Sequence, residues 1–330
     1  MVIRHKPKTD TAALSLRIIL FCTVLIFTVL AVVFIPRGSG LYMYSSNRHV
    51  PSVQPEGNAY SERLDAEKFI RMLDDELYSE YAYLCTAGTC SVIAEKNSGE
   101  KYFPASLTKI MTAMVLIENA DSLDAQVTVP PDIYNELYRQ GASMAGFLPN
   151  EKVTLRDLLY GIMLPSGAEA ALAAAEFVAG GEKELVAMMN SKAEQMGLAN
   201  THFANITGLH DENHYTNVCE LAQILACAVE NETFLEISSA REYYVAPTNK
   251  HPDGFTMKST VFEKLGGKQP ENATIMGGKT GFTYEAGLCL ATYAVRDGKT
   301  YIAVTLGAEG NHRTAQHQVD DALYLYNLVA

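Results

Sequence analysis

The sequence predicts an α/β fold in which a β-sheet, built from both ends of the chain, is flanked by helices. Two apolar runs, 287–295 and 300–306, are joined by Arg-Asp-Gly-Lys, a sequence typical of a β-hairpin turn. A second pair of extended segments, separated by a short polar turn, lies within 81–93. Most of the residues between these pairs show helical spacing of apolar side chains. Strands at both ends around a helical middle predict one sheet with a helical insertion at about 118–260.

The N-terminal region predicts a membrane anchor. Residues 18–35 carry no charge and are almost wholly aliphatic or aromatic, which is at the lower end of the roughly 17–25 residues that span a bilayer. Residues 1–37 hold five basic residues and one acidic residue, so the positive-inside rule places the N-terminus in the cytoplasm. A cleaved signal peptide is the alternative, although its apolar core is usually shorter, about 7–15 residues. With either interpretation the rest of the chain is exported.

We therefore expect a basic cytoplasmic terminus at 1–17, a transmembrane anchor at 18–36, a linker at 37–60 and a folded body at 61–330. The linker is rich in Gly, Ser, Asn and Pro and lacks apolar periodicity. After residue 37 the chain holds 21 basic and 37 acidic residues. This balance excludes the basic surface that nucleic-acid binding requires. The apolar fraction of 48% is ample for a core.

The cysteines do not predict a metal site. Cys85 and Cys90 bracket the turn of the N-terminal strand pair, where a disulfide fits an exported protein; two free thiols are the alternative. The remaining cysteines lie in the anchor run or in apolar surroundings typical of a core: Cys22, Cys219, Cys227 and Cys289. No set of Cys and His has zinc-ligand spacing. We expect neither a metal nor another cofactor.

Helices are predicted from apolar periodicity and from residues that begin or end a helix. Thr154, followed by Asp157 at the third helical position, predicts a capped helix start, and Pro165 ends that helix. Ser166 and Gly167 then form a tight loop before the next helix. One predicted helix begins at Ser106. The others cover 61–78, 154–164, 168–178, 182–196 and 314–330.

Ser106 and Lys109 lie at the start of a long apolar helix. Side chains at this spacing share a helix face, with Cβ atoms about 5–6 Å apart, so the amine can take the proton of the serine. The helix is apolar nearly all round and therefore buried, and burial lowers the pKa of a lysine. Ser98 and Lys101 have the same spacing but follow Asn97 in a polar turn, where this geometry fails. A helix N-terminus without catalysis is the alternative for Ser106.

Lys279, Thr280 and Gly281 form a second cluster on a predicted strand. Beside Ser106, the lysine would supply positive charge, the threonine a hydroxyl donor, and the glycine close access to the backbone. The amides of Phe282 and Ser106 would then form a pair of donors for a developing oxyanion. A bulge or close packing at the glycines of this segment is the alternative.

Seven short sequence motifs between about 80 and 310 occur in the same order as in a known family. The motifs are PASLTKIMTA at 104–113, DLLYG at 157–161, LPSG at 164–167, NTHF at 200–203, GL at 208–209, NHY at 213–215 and GKTGFT at 278–283. Together they resemble the serine D-alanyl-D-alanine carboxypeptidases, the low-molecular-weight penicillin-binding proteins of peptidase family S11. The resemblance implies a β-lactamase/transpeptidase-like α/β fold, with an antiparallel sheet flanked by helices and an inserted all-helical subdomain.

The resemblance also implies a reaction. Ser106 would attack the carbonyl of the terminal D-Ala–D-Ala bond of a peptidoglycan stem pentapeptide and form an acyl-enzyme, with Lys109 as base. Ser166 would relay protons toward the leaving amine, and Lys279 and Thr280 would hold the terminal carboxylate. The residues expected to bind substrate are Lys279, Thr280, Gly281, Phe282 and Arg313.

Some polar residues have a simpler interpretation. An ordinary surface position is the alternative for Arg313. We expect packing or loop hydrogen bonds, and no catalytic role, for the histidines at 202, 210 and 214.

One position departs from the family pattern. The middle motif is usually Ser-x-Asn, and here it reads Ser166-Gly167-Ala168. The missing amide would hydrogen-bond the substrate backbone and help to orient Lys109. Its loss should cost about 1–3 kcal/mol where a partner is left unpaired, so we expect reduced but real activity. Glu169 follows, but it begins a helix and need not point into the site.

The predicted function is that of a bacterial, membrane-anchored carboxypeptidase that acts outside the cytoplasmic membrane and is acylated by β-lactams as covalent inhibitors. The first alternative is a catalytically weak or inactive protein that binds penicillin or peptidoglycan, for which Ala168 is the supporting feature. A D,D-endopeptidase acting on cross-links is the second. A β-lactamase is the third, but the chain lacks a Ser-Asp-Asn motif and an evident deacylating glutamate motif.

Overall fold

The computed structural model describes residues 71–73 and 76–329. Its main sheet has six strands in the order β1-β3-β2-β10-β9-β8. These strands are β1 (Arg71–Met72), β2 (Tyr81–Thr86), β3 (Val92–Lys96), β8 (Thr274–Thr283), β9 (Gly287–Arg296) and β10 (Lys299–Ala308). Strand β10 pairs with β2, so the two ends of the described chain meet at the centre of the sheet. This arrangement confirms the predicted sheet built from both ends of the chain.

The sheet is antiparallel except at one edge. Strand β1 runs parallel to β3, with Arg71 opposite Ala94, and the amide of Leu73 continues the pairing by donating to Glu95 O at 3.0 Å. The prediction of a helix over 61–78 is therefore wrong at Arg71 and Met72, because pairing with a distant strand overrides the local periodicity. The other residues of that predicted helix up to 70, with 74 and 75, lie outside the described residues.

Both predicted hairpins are present. Asp297 and Gly298 have φ values of 49° and 74°, the left-handed pair that a two-residue hairpin turn requires. In the turn between β2 and β3, Cys85 and Cys90 are both free thiols. The expectation of a disulfide at this turn is therefore not met, and the alternative of two thiols holds.

Five of the nine helices in the described residues correspond to predicted helices: those that begin at Thr108, Leu155, Ala168, Glu182 and His317. The other four have no individually predicted counterpart. The nine helices of this part of the chain are α1 (Thr108–Asn119), α2 (Tyr134–Arg139), α3 (Leu155–Met163), α4 (Ala168–Ala179), α5 (Glu182–Gln195), α6 (Val218–Ala228), α7 (Glu232–Ser239), α8 (Thr260–Leu265) and α9 (His317–Asn327). Thr154 and Asp157 form the predicted capping box at the start of α3. Gly180 ends α4 with a left-handed φ of 84°, a conformation that favours glycine.

The insertion between β3 and β8 is mainly helical but also contains strands. Strands β4 (Gln126–Thr128) and β5 (Lys152–Thr154) form one two-stranded sheet, and β6 (Glu242–Val245) and β7 (Phe255–Lys258) form another. The expectation of an all-helical insertion is therefore corrected. Strands of three or four residues are too short to show a period in the sequence, and pairing at long range stabilises them.

The sheet separates two hydrophobic cores. Successive residues of β2 point to opposite faces: Tyr83 and Cys85 pack into the larger core with α1, whereas Ala82 and Leu84 face the smaller core with α9. Helix α1 is buried along most of its length, as its uniformly apolar sequence predicts. The turn that leads into α1 packs against β8, at the edge of the sheet.

The predicted membrane anchor at 18–36 lies outside the described residues, as do the cytoplasmic terminus at 1–17 and the linker at 37–60. No helix within 71–73 and 76–329 combines the length and the apolar character needed to cross a bilayer.

Candidate active site

Ser106 lies in a 3₁₀ turn, Ala105–Leu107, that leads directly into α1. The Nζ atom of Lys109 is 3.3 Å from the Oγ atom of Ser106, so the predicted shared face brings the two groups into contact. Ser98 has no such geometry. It lies in a turn, and its hydroxyl donates to Glu95 Oε2 at 2.6 Å.

Lys109 has the electrostatic environment of a base. Its side chain is 2% exposed, and burial lowers its pKa to about 7, opposed by the nearby carboxylate of Glu169. The ammonium also donates to Thr207 O at 2.6 Å. At neutral pH a lysine with such a pKa has a large fraction of free amine, which is the form that accepts a proton.

The backbone before Ser106 is strained and tightly held. Ala105 has a φ of 47°, a left-handed conformation that costs a non-glycine residue about 1–2 kcal/mol. The hydroxyl of Thr108 donates to Ala105 O at 2.8 Å. Gly208 packs against the same carbonyl so closely that an added Cβ would lie 1.9 Å from its oxygen. These contacts fix the direction in which Ser106 points.

The ring of His214 stabilises this turn through a hydrogen bond to Thr108. Its Nδ1 atom accepts from the amide of Ala204 at 3.0 Å, so its Nε2 atom carries the hydrogen and donates to Thr108 Oγ1 at 2.7 Å. Burial lowers the pKa of this histidine to about 4, which keeps the ring neutral. The predicted structural role is confirmed for His214, and His202 likewise makes a loop hydrogen bond, to Asn213 O at 2.6 Å.

Strand β8 packs against the turn that contains Ser106. An added Cβ on Gly281 would lie 3.2 Å from the Ser106 amide nitrogen, so the glycine lets β8 approach the nucleophile turn closely. Thr280 exchanges a hydrogen bond of 2.7 Å with Thr260. Lys279 lies behind these residues, fully buried, and donates to Thr280 O at 3.0 Å. Burial, reinforced by the charge of Lys109, lowers its pKa well below the ordinary value.

Ser166 lies across from the nucleophile, in the connection between α3 and α4. It has a left-handed φ of 71° and is 5% exposed. Its hydroxyl has no hydrogen-bond partner among the described residues. A buried hydroxyl without a protein partner is costly, and at this position it is free to serve a reacting group.

Two adjoining cavities meet at Ser106. The larger, of about 560 Å³, includes Ser106, Lys109 and Ala168 in its lining. The smaller, of about 60 Å³, includes Ser106, Ser166 and Thr280. The residues that line both are Ser106, Ser143, Phe282 and His312. A peptide that places its scissile bond at Ser106 would therefore extend from one cavity into the other.

Arg313 is set apart from these residues. Its side chain is exposed and lines neither of the two cavities, whereas the preceding His312 lines both. A substrate contact by Arg313 stays a prediction. The described residues 71–73 and 76–329 contain no group of Cys, His, Asp or Glu side chains that could hold a metal ion.

Several residues of the site were not found from the sequence. The carbonyl of Thr207 and the ring of His214 contact the segment 105–109 from about a hundred positions away. Glu169, which was not expected to point into the site, is fully buried and influences Lys109. The motifs at 208–209 and 213–215 were visible as part of the resemblance, but their contacts with the nucleophile turn were not.

Residues 69–310 match the Peptidase S11 family, described as D-alanyl-D-alanine carboxypeptidase. The chain belongs to this family. The matched segment contains both lysines, the Ser166 loop and the main sheet from β1 to β10.

Individual members of the family have related sequences. The D-alanyl-D-alanine carboxypeptidase DacF of Bacillus subtilis (strain 168) is 32% identical over 227 residues, which are 69% of this chain and 57% of the relative. The D-alanyl-D-alanine carboxypeptidase of Streptomyces sp. (strain K15) is 32% identical over 233 residues, 68% of this chain and 79% of the relative. The chain thus spans a little over half the length of the Bacillus relative.

A solved family structure has the same fold. The Streptomyces K15 DD-transpeptidase superimposes with a TM-score of 0.69 at 30% sequence identity, and the superposition covers 78% of this chain and 98% of that one. The β-lactamase/transpeptidase-like fold implied by the motifs is therefore confirmed.

Proposed function

We propose that this protein is a serine-type D-alanyl-D-alanine carboxypeptidase that removes the terminal D-alanine from peptidoglycan stem pentapeptides. The observation that carries the proposal is the contact between Ser106 Oγ and the buried amine of Lys109, at 3.3 Å, where two cavities meet. Family membership supports the same chemistry. No cofactor is needed, because a serine nucleophile and a lysine base suffice for acyl transfer.

The reaction begins with attack of Ser106 Oγ on the carbonyl carbon of the penultimate D-alanine. Lys109 takes the hydroxyl proton as the new C–O bond forms. The carbonyl oxygen becomes negatively charged, and we assign the amides of Ser106 and Phe282 as its donors, since Gly281 brings β8 against the nucleophile turn. The peptide C–N bond then breaks and leaves an ester on Ser106.

The leaving D-alanine amine must gain a proton. Ser166 lines the smaller cavity with Ser106, and its unpartnered hydroxyl is suited to pass the proton held by Lys109 to the amine. Thr280 lines the same cavity, and Lys279 lies directly behind it, so this cavity would receive the terminal carboxylate. A carboxylate there would favour the charged form of Lys279. Water then hydrolyses the ester and releases the shortened peptide.

The location of the protein is part of the proposal. The apolar run at 18–36 and the basic residues before it support a single-pass membrane anchor with the folded body outside the cytoplasmic membrane. Peptidoglycan stems lie on that side, and β-lactams would reach Ser106 there as covalent inhibitors.

The test is release of D-alanine from a D-Ala–D-Ala-terminated pentapeptide by the full chain, purified in detergent. We expect release by the natural sequence and none above background by Ser106→Ala. A fluorescent penicillin should label Ser98→Ala but not Ser106→Ala, which checks the nucleophile against the serine of matching spacing. Penicillin labelling without D-alanine release would favour the catalytically weak binding protein, and absence of both would refute the assignment of Ser106.

A further inference from the structure

Glu169 is a buried carboxylate placed directly after the altered middle motif. It lies in the first turn of α4 and is fully buried. Its Oε1 atom accepts hydrogen bonds from three consecutive backbone amides, those of Ala145 at 2.6 Å, Gly146 at 2.9 Å and Phe147 at 3.3 Å. A buried charge needs such partners, because removal from water is otherwise prohibitive. Three amides aimed at one oxygen indicate a site built for an ionised carboxylate.

These amides belong to the segment 141–147, here called the cleft loop. Gly141 and Ser143 of this loop line the larger cavity, and Ser143 also lines the smaller one. The loop is joined to the motif a second time, because the amide of Ala168 donates to Ser143 O at 2.8 Å. Glu169 therefore fastens a loop that forms part of the substrate path.

The space between the cleft loop and the motif is fully occupied. An added Cβ on Gly167 would lie 2.5 Å from the Cβ of Ala145 and 3.0 Å from the second carboxylate oxygen of Glu169. That oxygen, Oε2, has no hydrogen-bond partner among the described residues. The carboxylate thus packs against Gly167, with its other oxygen bound to the amides of the cleft loop.

The charge of Glu169 also acts on the base. Its carboxylate raises the pKa of Lys109 against the effect of burial. The other titratable groups that face this region are Tyr134 of α2, whose pKa is raised by burial and then by Glu169, and Lys279 of β8, which repels Lys109. Burial raises the pKa of Glu169 itself, and its three amide bonds oppose that effect.

We propose that Glu169 is a positioning residue of the catalytic centre: its carboxylate fastens the cleft loop to Ser166-Gly167-Ala168 and holds Ser143 beside Ser106. Ser143 thereby brings a hydroxyl to the junction of the two cavities, next to Ala168, which has no polar side chain. The inference goes beyond the proposed carboxypeptidase function. It is tested on acylation by penicillin, which reports on Ser106 and Lys109 whether or not D-alanine is released.

The experiment compares Glu169→Gln and Glu169→Ala over a range of pH. Glutamine retains an acceptor oxygen for the three amides and removes the charge, whereas alanine removes both. We expect Glu169→Ala to lower the acylation rate about tenfold or more. We expect Glu169→Gln to keep most of the rate at high pH, with its acid limb moved to lower pH. The sign follows because the lost carboxylate favoured protonated Lys109, so the free amine persists at lower pH.

At pH 6 the Glu169→Gln variant should therefore retain about two- to fivefold more of its own plateau rate than the natural protein does. Glu220→Gln is the matched control. Glu220 is also a buried first-turn glutamate, in α6, and it accepts from the amide of Asn200 at 3.0 Å. Its loss should affect stability without moving the acid limb.

A second readout tests the loop. Ser143→Ala should slow acylation in the natural protein and have a smaller effect in the Glu169→Ala background, because the hydroxyl is no longer held. Additive effects of the two substitutions would contradict the proposal. If Glu169→Ala does not fold, Glu169→Gln decides the question, and an acid limb that coincides with the natural one would overturn the inference.

Discussion

The two sides of the catalytic cleft are built differently. The nucleophile side consists of the turn and helix start at 105–109 with strand β8, and its polar groups are hydrogen-bonded to one another. The substrate side consists of the motif at 166–169 with the cleft loop. There the Ser166 hydroxyl has no hydrogen-bond partner within the described part of the chain, and residue 168 carries only a methyl group.

This difference separates two tasks within the proposed reaction. The nucleophile side would supply the attacking hydroxyl, its base and the oxyanion donors, whereas the substrate side would orient the peptide and pass a proton to the leaving group. The departure at Ala168 falls on the second side. Substitutions on the nucleophile side should therefore slow acylation more strongly than substitutions on the substrate side.

The largest effect is expected on the nucleophile side, from Lys109→Met. Methionine has a similar length but cannot accept a proton, and loss of a general base typically costs about 10²–10⁴-fold in rate. In the natural protein, acylation should fall about tenfold per pH unit below the Lys109 pKa of about 7 and level off above it, because protonated Lys109 is inactive. The initial rate of penicillin labelling measures both effects. Lys101→Met, the lysine paired by spacing with Ser98, is the control and should match the natural protein.

The backbone of the nucleophile side can be disturbed at Gly208. An alanine there would place its Cβ 1.9 Å from Ala105 O at a φ of 80°. Gly266 has a φ of 56° and no atom within 4 Å of an added Cβ, so Gly266→Ala carries only the left-handed conformational cost of about 1–2 kcal/mol. We expect Gly208→Ala to lower the free energy of unfolding by more than Gly266→Ala and to slow labelling as well. Equal loss of stability, measured by urea unfolding, would show that the contact with Ala105 relaxes without cost.

The smallest effect is expected on the substrate side, from Ala168→Asn. Restoring an amide should raise D-alanine release about two- to tenfold, the value of one or part of one hydrogen bond, with a smaller change in penicillin labelling. Ala168→Leu introduces a side chain of similar branched shape without the amide and should give no increase. A release rate unchanged by asparagine would mean that the chain has already replaced the missing group.

Much of the fold could be predicted from the sequence because its determinants are local. The turn at Asp297 and Gly298 and the cap formed by Thr154 and Asp157 each depend on residues close together in the chain, and both are present as expected. Strand β1 could not be predicted, since two residues show no period and only pairing with β3 makes them a strand.

The site, like the fold, was predictable where its contacts are local in sequence. Ser106 and Lys109 are brought together by one turn of helix, so their spacing in the sequence was sufficient to predict their contact. The contacts of Lys109 with Thr207 and of Glu169 with Ala145 join residues 98 and 24 positions apart. No local pattern encodes such contacts, and for this reason the supporting groups emerged only with the fold.

The hydrogen bond from Lys109 to Thr207 O has a consequence for how the site tolerates mutation. A carbonyl oxygen only accepts, so it engages one N–H of the amine and leaves the lone pair available to the Ser106 hydroxyl. In a catalytic triad a side chain performs the orienting role, and one substitution can remove it. Here the orienting atom belongs to the main chain and is supplied by whichever amino acid occupies position 207. Most substitutions at position 207 should therefore leave the orientation of the Lys109 amine unchanged. That orientation depends instead on the backbone path around Gly208.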